Sequence, residues 1–442
     1  MESQPSNSIA NTSCVASIVA HFDDSVAVPS SKEGPLSSFR VISLGVGTKF
    51  LPRKFLEEGM HKNGGIPYGT RLRDCHAEVL ARRAFQRYLW HEIMTSLRSD
   101  VNCNVEDITN LKILQRIDNS KFRLKDGVSL HFYSSSAPCG NATVKKFAKM
   151  RNEKFDGSYD DHHWPASKHE SIESHSIKLG QFALLLKRDR TFDAHYCGDS
   201  AYPGFEEPSG TSLDVGVMHC CSDKLCRWNC LGLQGSLLSI FFEMPIYMQS
   251  FVCGRKFTNS ICRRAVCCRA IEFGKKKTIQ YDLNHPSIMG TAEYLNENAV
   301  INMDKASYGT NANFGHLCWI MCNSSVRESQ RGVTECVDGN NGFVIERKIG
   351  CNSFRVNPVM NKISAFSTFS IAQLYCEVLS LFDAELAEKL KSRYDIGNLN
   401  LDTLIALKAN KAKQYENEKQ KLLKTRTFQK WKGRKKLLTE TR

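Results

Sequence analysis

Short apolar strands that alternate with helical stretches restrict the fold of this chain more than any other feature of its sequence. Residues 39–45 are rich in β-branched and alternating side chains, which predicts a strand, and residues 74–90 repeat apolar side chains at helical spacing. Residues 128–133 predict a second strand, and residues 222–240 predict a second long helix. Strands that alternate with helices indicate an α/β fold, a layered domain with a central mixed sheet flanked by helices.

Further elements continue this order towards the carboxyl terminus. We predict strands at residues 180–187 and 246–252, and helices at residues 258–272 and 368–383. Pro138 is well placed to be the first residue of another helix, because its fixed φ suits that position.

The first 37 residues differ in composition from the rest of the chain. They are rich in Ser, Asn and Pro and show little periodicity, so we predict a disordered leader with one short helix near residues 15–21. Residues 38–442 are predicted to form one domain. That domain contains a polar insertion at about residues 151–178 and a basic helical part at about residues 400–442.

The composition excludes several classes of protein. Hydrophobic residues make up 41% and charged residues 24%, which excludes a wholly disordered chain. No stretch approaches the roughly 18 uninterrupted apolar residues of a membrane-spanning helix, and the first residues do not resemble a secretory signal. We therefore expect an intracellular protein, in the nucleus, the cytoplasm or both, whose 18 cysteines are thiols or metal ligands before they are disulfides. The sequence gives no sign of an obligate protein partner.

The positive charge is concentrated at the carboxyl end. Residues 407–442 carry 13 Lys and Arg against three Glu, out of a formal net charge of +14 for the whole chain. This imbalance favours a partner that carries phosphates, although a solvated charged helix would explain the charge alone equally well.

Two short motifs supply the residues that a catalytic zinc site needs. Of 13 histidines only His76 begins a His-x-Glu motif, and Glu78 completes it at the start of the predicted 74–90 helix. Cys139 follows Pro138 at another predicted helix start, where the helix dipole lowers the pKa of a thiol. Each half alone is weak, but together they match the zinc-deaminase pattern of His-x-Glu followed by Pro-Cys-x-x-Cys.

The match to that pattern is incomplete, because Ala142 occupies the position of the second cysteine. A catalytic zinc takes about three protein ligands and a water, so a third ligand must come from elsewhere. The densest group of candidates is His219, Cys220 and Cys221, directly before the second long helix. The residues themselves do not decide between Cys220 and Cys221.

Longer runs around these motifs resemble the RNA adenosine deaminase family. They are DCHAEVLARR at residues 74–83, CSDKLCRWN at 221–229, GLQGSLLS at 232–239 and PIY at 245–247, and the resemblance extends over roughly residues 40–435. It implies a three-layer cytidine-deaminase-like α/β domain with a helical C-terminal extension. It also implies that zinc is bound by His76, Cys139 and Cys221.

The implied reaction is hydrolytic deamination of adenosine at C6. Zinc would lower the pKa of its water to about 7, and Glu78, which is not a ligand, would transfer protons. Thr48 and Lys49 match the family's Gly-Thr-Lys loop, which lines the nucleotide pocket.

A second group of residues would bring cations close to the zinc site. Lys224 and Arg227 share a face of the second helix, and Arg82 and Arg83 follow Glu78 by one turn. Surface salt bridges would explain these cations, but the resemblance implies a buried inositol hexakisphosphate. The residues implied to bind it are Arg82, Arg83, Lys224, Arg227, Trp228, Gln234, Ser236, Lys408, Tyr415, Lys419 and Trp431. Arg73 departs from the family pattern, which has Asn at this position.

The run FQRYL at residues 85–89 is most similar to the branch of the family that acts on tRNA. The residues before Phe39 are also too few for a double-stranded RNA-binding domain. The implied substrate is therefore tRNA, with alanine tRNA and the adenosine 3′ of its anticodon as the expected target. One alternative is editing of structured or duplex mRNA, and another is a non-catalytic pseudo-deaminase that binds RNA or inositol phosphate. The long separation in sequence between Cys139 and Cys221 argues against a deaminase that acts on free nucleosides or on cytosine.

Overall fold

A computed structural model describes residues 14–23, 38–51, 55, 67–99, 112–143, 186–187, 218–275, 278, 280–291, 317–322, 332–345, 362–429 and 431. Its strands are β1 Val15–Phe22, β2 Phe39–Val46, β3 Thr48–Phe50, β4 Asp74–His76, β5 Leu114–Arg116, β6 Phe122–Leu124, β7 Val128–Ser136, β8 Leu186–Lys187, β9 Met218–His219, β10 Ser250–Arg255, β11 Ser287–Gly290, β12 Leu317–Cys322, β13 Val333–Asp338 and β14 Val344–Ile345. Its helices are α1 Ala77–Ser99, α2 Cys221–Leu231, α3 Asn259–Val266, α4 Ile271–Gly274, α5 Thr368–Ser380, α6 Ala384–Arg393, α7 Leu401–Lys411 and α8 Lys413–Leu423.

Eight of these strands form one mixed sheet in the order β11-β10-β7-β1-β2-β12-β13-β14. The pairs β7–β10 and β10–β11 are parallel, and the other five pairs are antiparallel. Helices flank the sheet, and four of them follow it at the carboxyl end. The predicted α/β class, with a central mixed sheet and C-terminal helices, is confirmed.

Strand β1 corrects the prediction for the beginning of the chain. The predicted short helix at residues 15–21 is wrong, since Val15–Phe22 is a strand between β2 and β7 in the middle of the sheet. Its side chains alternate, so that Ala16, Ile18, Ala20 and Phe22 are buried. Alternate apolar side chains are enough to form a buried strand, although the residues around it are polar. Because this strand is part of the central sheet, the domain begins before residue 38.

Helix α1 lies against strands β1, β2 and β12 and contributes much of the core. Phe85, Leu89 and Trp90 are fully buried on its inner face. A Cβ at Gly45 would lie 2.4 Å from the carbonyl oxygen of Ala77, so only glycine lets β2 pass this close to the start of the helix. The helix predicted at residues 74–90 is present, but it begins at Ala77 and ends at Ser99.

Other predicted elements appear with different bounds, and the helix predicted at 258–272 is divided into α3, a 3₁₀ turn at Cys268–Ala270 and α4. Pro138 does not begin a helix, because residues 137–140 are not helical and a 3₁₀ turn follows at Asn141–Thr143. Helix α2 ends at Leu231, and a 3₁₀ turn at Leu238–Phe241 follows it, whereas one helix was predicted over residues 222–240. The strand predicted at 246–252 is observed as Ser250–Arg255. The insertion at about 151–178, most of the strand predicted at 180–187 and the last eleven residues of the basic part lie outside the described residues. Among the residues that are described, no helix is both long and apolar enough to cross a membrane.

Candidate metal centre and cationic cavity

His76, Cys139 and Cys221 come together from three separate elements of the fold. His76 ends β4, Cys139 lies in the turn after β7, and Cys221 is the first residue of α2. All three are buried, and their ligand atoms lie within 4.8 Å of one another. His76 Nδ1 is 3.8 Å from the Sγ of Cys139. Cys220, the alternative that the sequence left open, is not part of this group.

Backbone N–H groups at the start of helix α2 fix Cys139 beside Cys221. The backbone N–H of Cys221 donates to the Sγ of Cys139 at 3.2 Å, and the N–H of Ser222 donates to the carbonyl oxygen of Cys139 at 3.1 Å. Amide donors at a helix N-terminus favour negative charge, so this arrangement suits a thiolate. Gly140 has a φ of +93°, and a Cβ there would lie 2.6 Å from the Cβ of Cys220. Glycine is therefore required where the turn passes α2.

A buried polar network supports the residues that follow the two cysteines, and sequence reasoning missed it. The N–H of Asn141 donates to Ser222 Oγ at 3.0 Å, and its side chain donates to Asp223 Oδ1 at 3.4 Å. Arg269 pairs with the same Asp223 oxygen at 2.5 Å, and Arg264 donates to the carbonyl oxygen of Asn141 at 3.1 Å. Asp223 and Arg269 are both fully buried, so neither charge can be lost without leaving the other uncompensated. No short sequence motif announces this network, because its members lie up to 128 positions apart.

Glu78 and the strand pair β3–β4 stand at the histidine side of the group. Glu78 is the second residue of α1 and only 4% exposed. In the β3–β4 pair Thr48 lies opposite His76, and Lys49 lies opposite Cys75. The two residues predicted to contact substrate therefore lie opposite His76 and its neighbour Cys75.

The donor set fits zinc. Two thiolates and an imidazole are ligands that Zn²⁺ prefers, and three protein ligands leave a fourth position for water. The charges of two thiolates balance that of Zn²⁺, which lowers the free-energy cost of burying the site.

A cavity of about 520 Å³ lies beyond the first turn of α1. Every residue that was predicted to contact inositol hexakisphosphate lines it: Arg82, Arg83, Lys224, Arg227, Trp228, Gln234, Ser236, Lys408, Tyr415, Lys419 and Trp431. The cavity thus brings together residues from α1, α2 and the C-terminal helices α7 and α8.

Positive charge dominates this cavity. Seven Lys and Arg side chains line it, against the carboxylates of Asp74 and Glu416. The Nε atoms of Arg82 and Arg227 are buried, and no described residue accepts a hydrogen bond from them. Burial, together with the neighbouring guanidinium groups of Arg227 and Arg83, lowers the pKa of Arg82 to about 9. Buried donors of this kind and an excess of cations fit a polyanion.

Aromatic rings organise the same cations. The guanidinium of Arg82 lies 4.9 Å from the ring centroid of Trp228, and that of Arg227 lies 4.6 Å from Trp431. Arg73, which departs from the family pattern, also lines the cavity, with its guanidinium 4.0 Å from the ring centroid of Tyr68. These stacks fix the orientation of the side chains and add favourable cation–π energy.

Asp74 connects the cavity to the metal-ligand group. Its Oδ1 accepts a hydrogen bond from the N–H of His76 at 3.1 Å, and its Oδ2 pairs with Lys224 Nζ. A carboxylate that bonds to both sites couples the position of the histidine ligand to the cation on α2. Asp74 itself lies in β4, and α1 begins three residues later, at Ala77.

Comparison with known proteins adds independent observations. The family model described as the adenosine-deaminase (editase) domain matches residues 43–435. Mouse double-stranded RNA-specific adenosine deaminase is 28% identical over 273 residues, which cover 60% of this chain and 20% of the mouse protein. The double-stranded RNA-specific editase Adar of Drosophila melanogaster is 31% identical over 266 residues, covering 58% of this chain and 33% of the fly protein.

Relatives with a different substrate in their names are also similar. Mouse tRNA-specific adenosine deaminase 1 is 26% identical over 303 residues, which cover 52% of this chain and 57% of that protein. The matched segments span from a fifth to just over half of the length of these relatives. The family model, in contrast, includes the metal-ligand group, Glu78 and the cavity residues in a single match. This chain belongs to the adenosine-deaminase (editase) domain family.

Proposed function

We propose that this protein catalyses the zinc-dependent hydrolytic deamination of adenosine to inosine in tRNA. The observation that carries the proposal is the buried group of His76, Cys139 and Cys221, with the buried Glu78 two residues after His76. When bound there, zinc supplies Lewis acidity that lowers the pKa of water enough for attack near neutral pH.

The other roles belong to side chains of this chain. A carboxylate oxygen of Glu78 would accept a proton from the attacking water and deliver a proton to the departing ammonia. The hydrogen bond from the N–H of His76 to Asp74 and the amide of Cys221 at the Cys139 sulfur hold the ligands in place. Thr48 and Lys49, opposite His76 and its neighbour Cys75, would contact the target nucleotide.

Two observations support tRNA as the substrate, with the adenosine 3′ of the anticodon of alanine tRNA as the target. The FQRYL run at residues 85–89 is most similar to the tRNA-acting branch. A relative named for tRNA, mouse tRNA-specific adenosine deaminase 1, is also similar, with 26% identity over 303 residues. An anticodon-loop base is already unpaired, so extruding it costs little.

The cationic cavity is proposed to hold inositol hexakisphosphate. Seven cations, two buried Nε donors and stacked tryptophans fit a compact polyphosphate. In this role the ligand is structural: it would balance the excess of positive charge around the cavity.

Inosine mapping on total tRNA incubated with purified protein tests the proposal, with Glu78→Ala as the inactive control. Inosine next to the alanine anticodon, absent with the control, is the expected result. Absence of inosine from a folded, zinc-loaded sample would overturn the proposal.

Editing of duplex RNA is the second candidate, because relatives named for double-stranded RNA are 28% and 31% identical. A perfect RNA duplex incubated in parallel separates the two. Deamination of the duplex without deamination of tRNA would establish the second candidate in place of the first.

A further inference from the structure

A second group of metal-ligand side chains lies away from His76, Cys139 and Cys221 in the chain. Cys267, Cys268 and His285 place their donor atoms within 4.8 Å of one another. The two sulfurs are 3.4 Å apart, and the Sγ of Cys268 is 3.8 Å from His285 Nδ1. We propose that these three residues bind a second zinc ion, which acts as a structural staple.

The donor distances are those of ligands around one ion. With Zn–S of about 2.3 Å and Zn–N of about 2.0 Å, tetrahedral geometry separates two sulfurs by about 3.8 Å and a sulfur from a nitrogen by about 3.5 Å. The observed separations, 3.4 Å and 3.8 Å, are within a few tenths of an ångström of these values. Zinc can therefore enter with small side-chain adjustments.

Hydrogen bonds hold the backbone at each ligand. The backbone N–H of Cys267 donates to the carbonyl oxygen of Arg263 at 3.1 Å, at the end of α3. On the other side, Asn284 donates from its side chain to Met248 O at 2.7 Å, and the N–H of Ser287 donates to Gln249 O at 2.9 Å. His285 lies between these two anchors. The site is thus built on fixed segments.

Burial and charge also suit zinc. Cys267 and Cys268 are 1% and 4% exposed, whereas His285 is exposed. Two thiolates neutralise Zn²⁺, so the buried part of the site would carry no net charge. Among the described residues no other His, Cys, Asp or Glu joins the group, so these three supply the ligands that the structure shows.

The alternative pairing of the two cysteines is a disulfide between neighbours in sequence. Their separation of 3.4 Å exceeds the S–S bond length of about 2.05 Å, and neither cysteine forms a disulfide. A disulfide would also not account for the short distance between Cys268 Sγ and His285 Nδ1. Three convergent donors of the types that zinc prefers favour the metal.

The proposed staple would act on the scaffold of the catalytic group. It joins the end of α3 to the segment before β11, the edge strand of the sheet. Arg269 follows Cys268 directly and pairs with Asp223, two residues after the ligand Cys221. Fixing residue 268 therefore restrains the arginine that supports α2 at the catalytic group.

Metal content of the full-length protein tests the proposal. Purified protein loaded with Zn²⁺ and dialysed is expected to contain two zinc ions per chain by elemental analysis. His285→Gln, a change at an exposed residue that should not prevent folding, is expected to reduce this to one. His91→Gln, on α1 outside both groups, is the matched control and should retain two.

Further variants assign each ion and separate this proposal from the proposed function. Cys221→Ser should retain one ion, at the second site, and Cys268→Ser should retain one ion, at the first. Replacement of zinc by Co²⁺ should give thiolate-to-cobalt absorption that weakens in Cys268→Ser. Activity is not a readout here, so the second ion can be found or excluded whatever RNA the enzyme deaminates. A single zinc in the wild type, two in His285→Gln, or a mass lower by two hydrogens from a Cys267–Cys268 disulfide would overturn the proposal.

Discussion

The metal-ligand group and the cationic cavity are connected through Asp74, yet they are organised differently. Around the ligand group, backbone amides and a buried Arg–Asp–Asn network hold the cysteines and the residues beside them. Around the cavity, seven cations face two carboxylates, and two guanidinium Nε atoms have no described acceptor. The first region is organised by the chain itself and would need only a small ion for the proposed chemistry. The second would need a polyanion for the fold to be stable, so changes in the two regions should have different consequences.

Glu78→Gln should have the largest effect, and on activity alone. Loss of the proton-transferring carboxylate is expected to lower the rate of inosine formation by about 10²–10⁴-fold. Zinc content and melting temperature should remain those of the wild type, because the amide has nearly the same shape. Single-turnover assays on tRNA and thermal unfolding measure the two quantities. Activity within tenfold of the wild type would exclude Glu78 from the reaction.

Lys224→Glu should instead destabilise the whole domain. It replaces the partner of the buried Asp74 by a like charge, and breaking a buried ion pair typically costs about 3–5 kcal/mol. Denaturant unfolding at equilibrium measures this loss. Lys389→Glu is the matched control, because Lys389 on α6 is 69% exposed and its loss should change stability by less than about 1 kcal/mol. Equal stability of the two variants would place Lys224 at the surface.

The effect of Arg82→Gln on stability should depend on whether the cavity holds a polyphosphate. Without polyphosphate, removal of one of several mutually repelling buried cations should preserve or raise the melting temperature, since the pKa of Arg82 is already lowered to about 9. With inositol hexakisphosphate added, the variant should bind it roughly 10–100-fold more weakly, which corresponds to a charge-assisted hydrogen bond of about 1.5–3 kcal/mol. Calorimetric titration of anion-depleted protein measures the affinity. Unchanged affinity would show that the cavity does not bind the polyphosphate through Arg82.

Glu92 provides the opposite case, a buried acid further along α1. Burial raises its pKa from the usual 4.5 to about 7, although the backbone N–H of Leu114 donates to it. The folded protein therefore holds a proton that the unfolded chain releases between these pH values. Stability should fall as pH rises from 4.5 to 7, by up to about 1 kcal/mol per pH unit from this group.

Glu92→Gln should remove that part of the pH dependence. Thr95→Ser, on the same helix, is a control that leaves the acid in place. Denaturant unfolding at several pH values compares the slopes, and parallel slopes for Glu92→Gln and the wild type would contradict the raised pKa.

Residues in short motifs could be predicted from the sequence, because their chemistry is local. His76, Glu78 and Cys139 were identified from their spacing, and resemblance was needed to choose Cys221 over Cys220. The same resemblance identified eleven residues that line one cavity. In these cases the type of residue at a given spacing carries the information.

Contacts between distant segments could not be predicted. Arg264 and Arg269 look like surface residues in the sequence, and only the packing of α3 shows that they are buried beside Asn141 and Asp223. The approach of His285 to Cys268 spans 17 positions and matches no common zinc motif. Strand β1 was missed for another reason, since its alternating pattern is short and lies in a polar stretch.

The strand order also bears on how the protein is made. During synthesis β1 and β2 emerge first, and they pair at the centre of the sheet. Next, β7 joins the free side of β1, followed outward by β10 and β11; then β12 joins β2, followed outward by β13 and β14. Every described strand of this sheet thus adds to an edge that already exists, and none must insert between strands that have paired. A ribosome synthesises about 5–20 residues per second, so the strands become available for pairing in an order that builds the sheet from its centre outward.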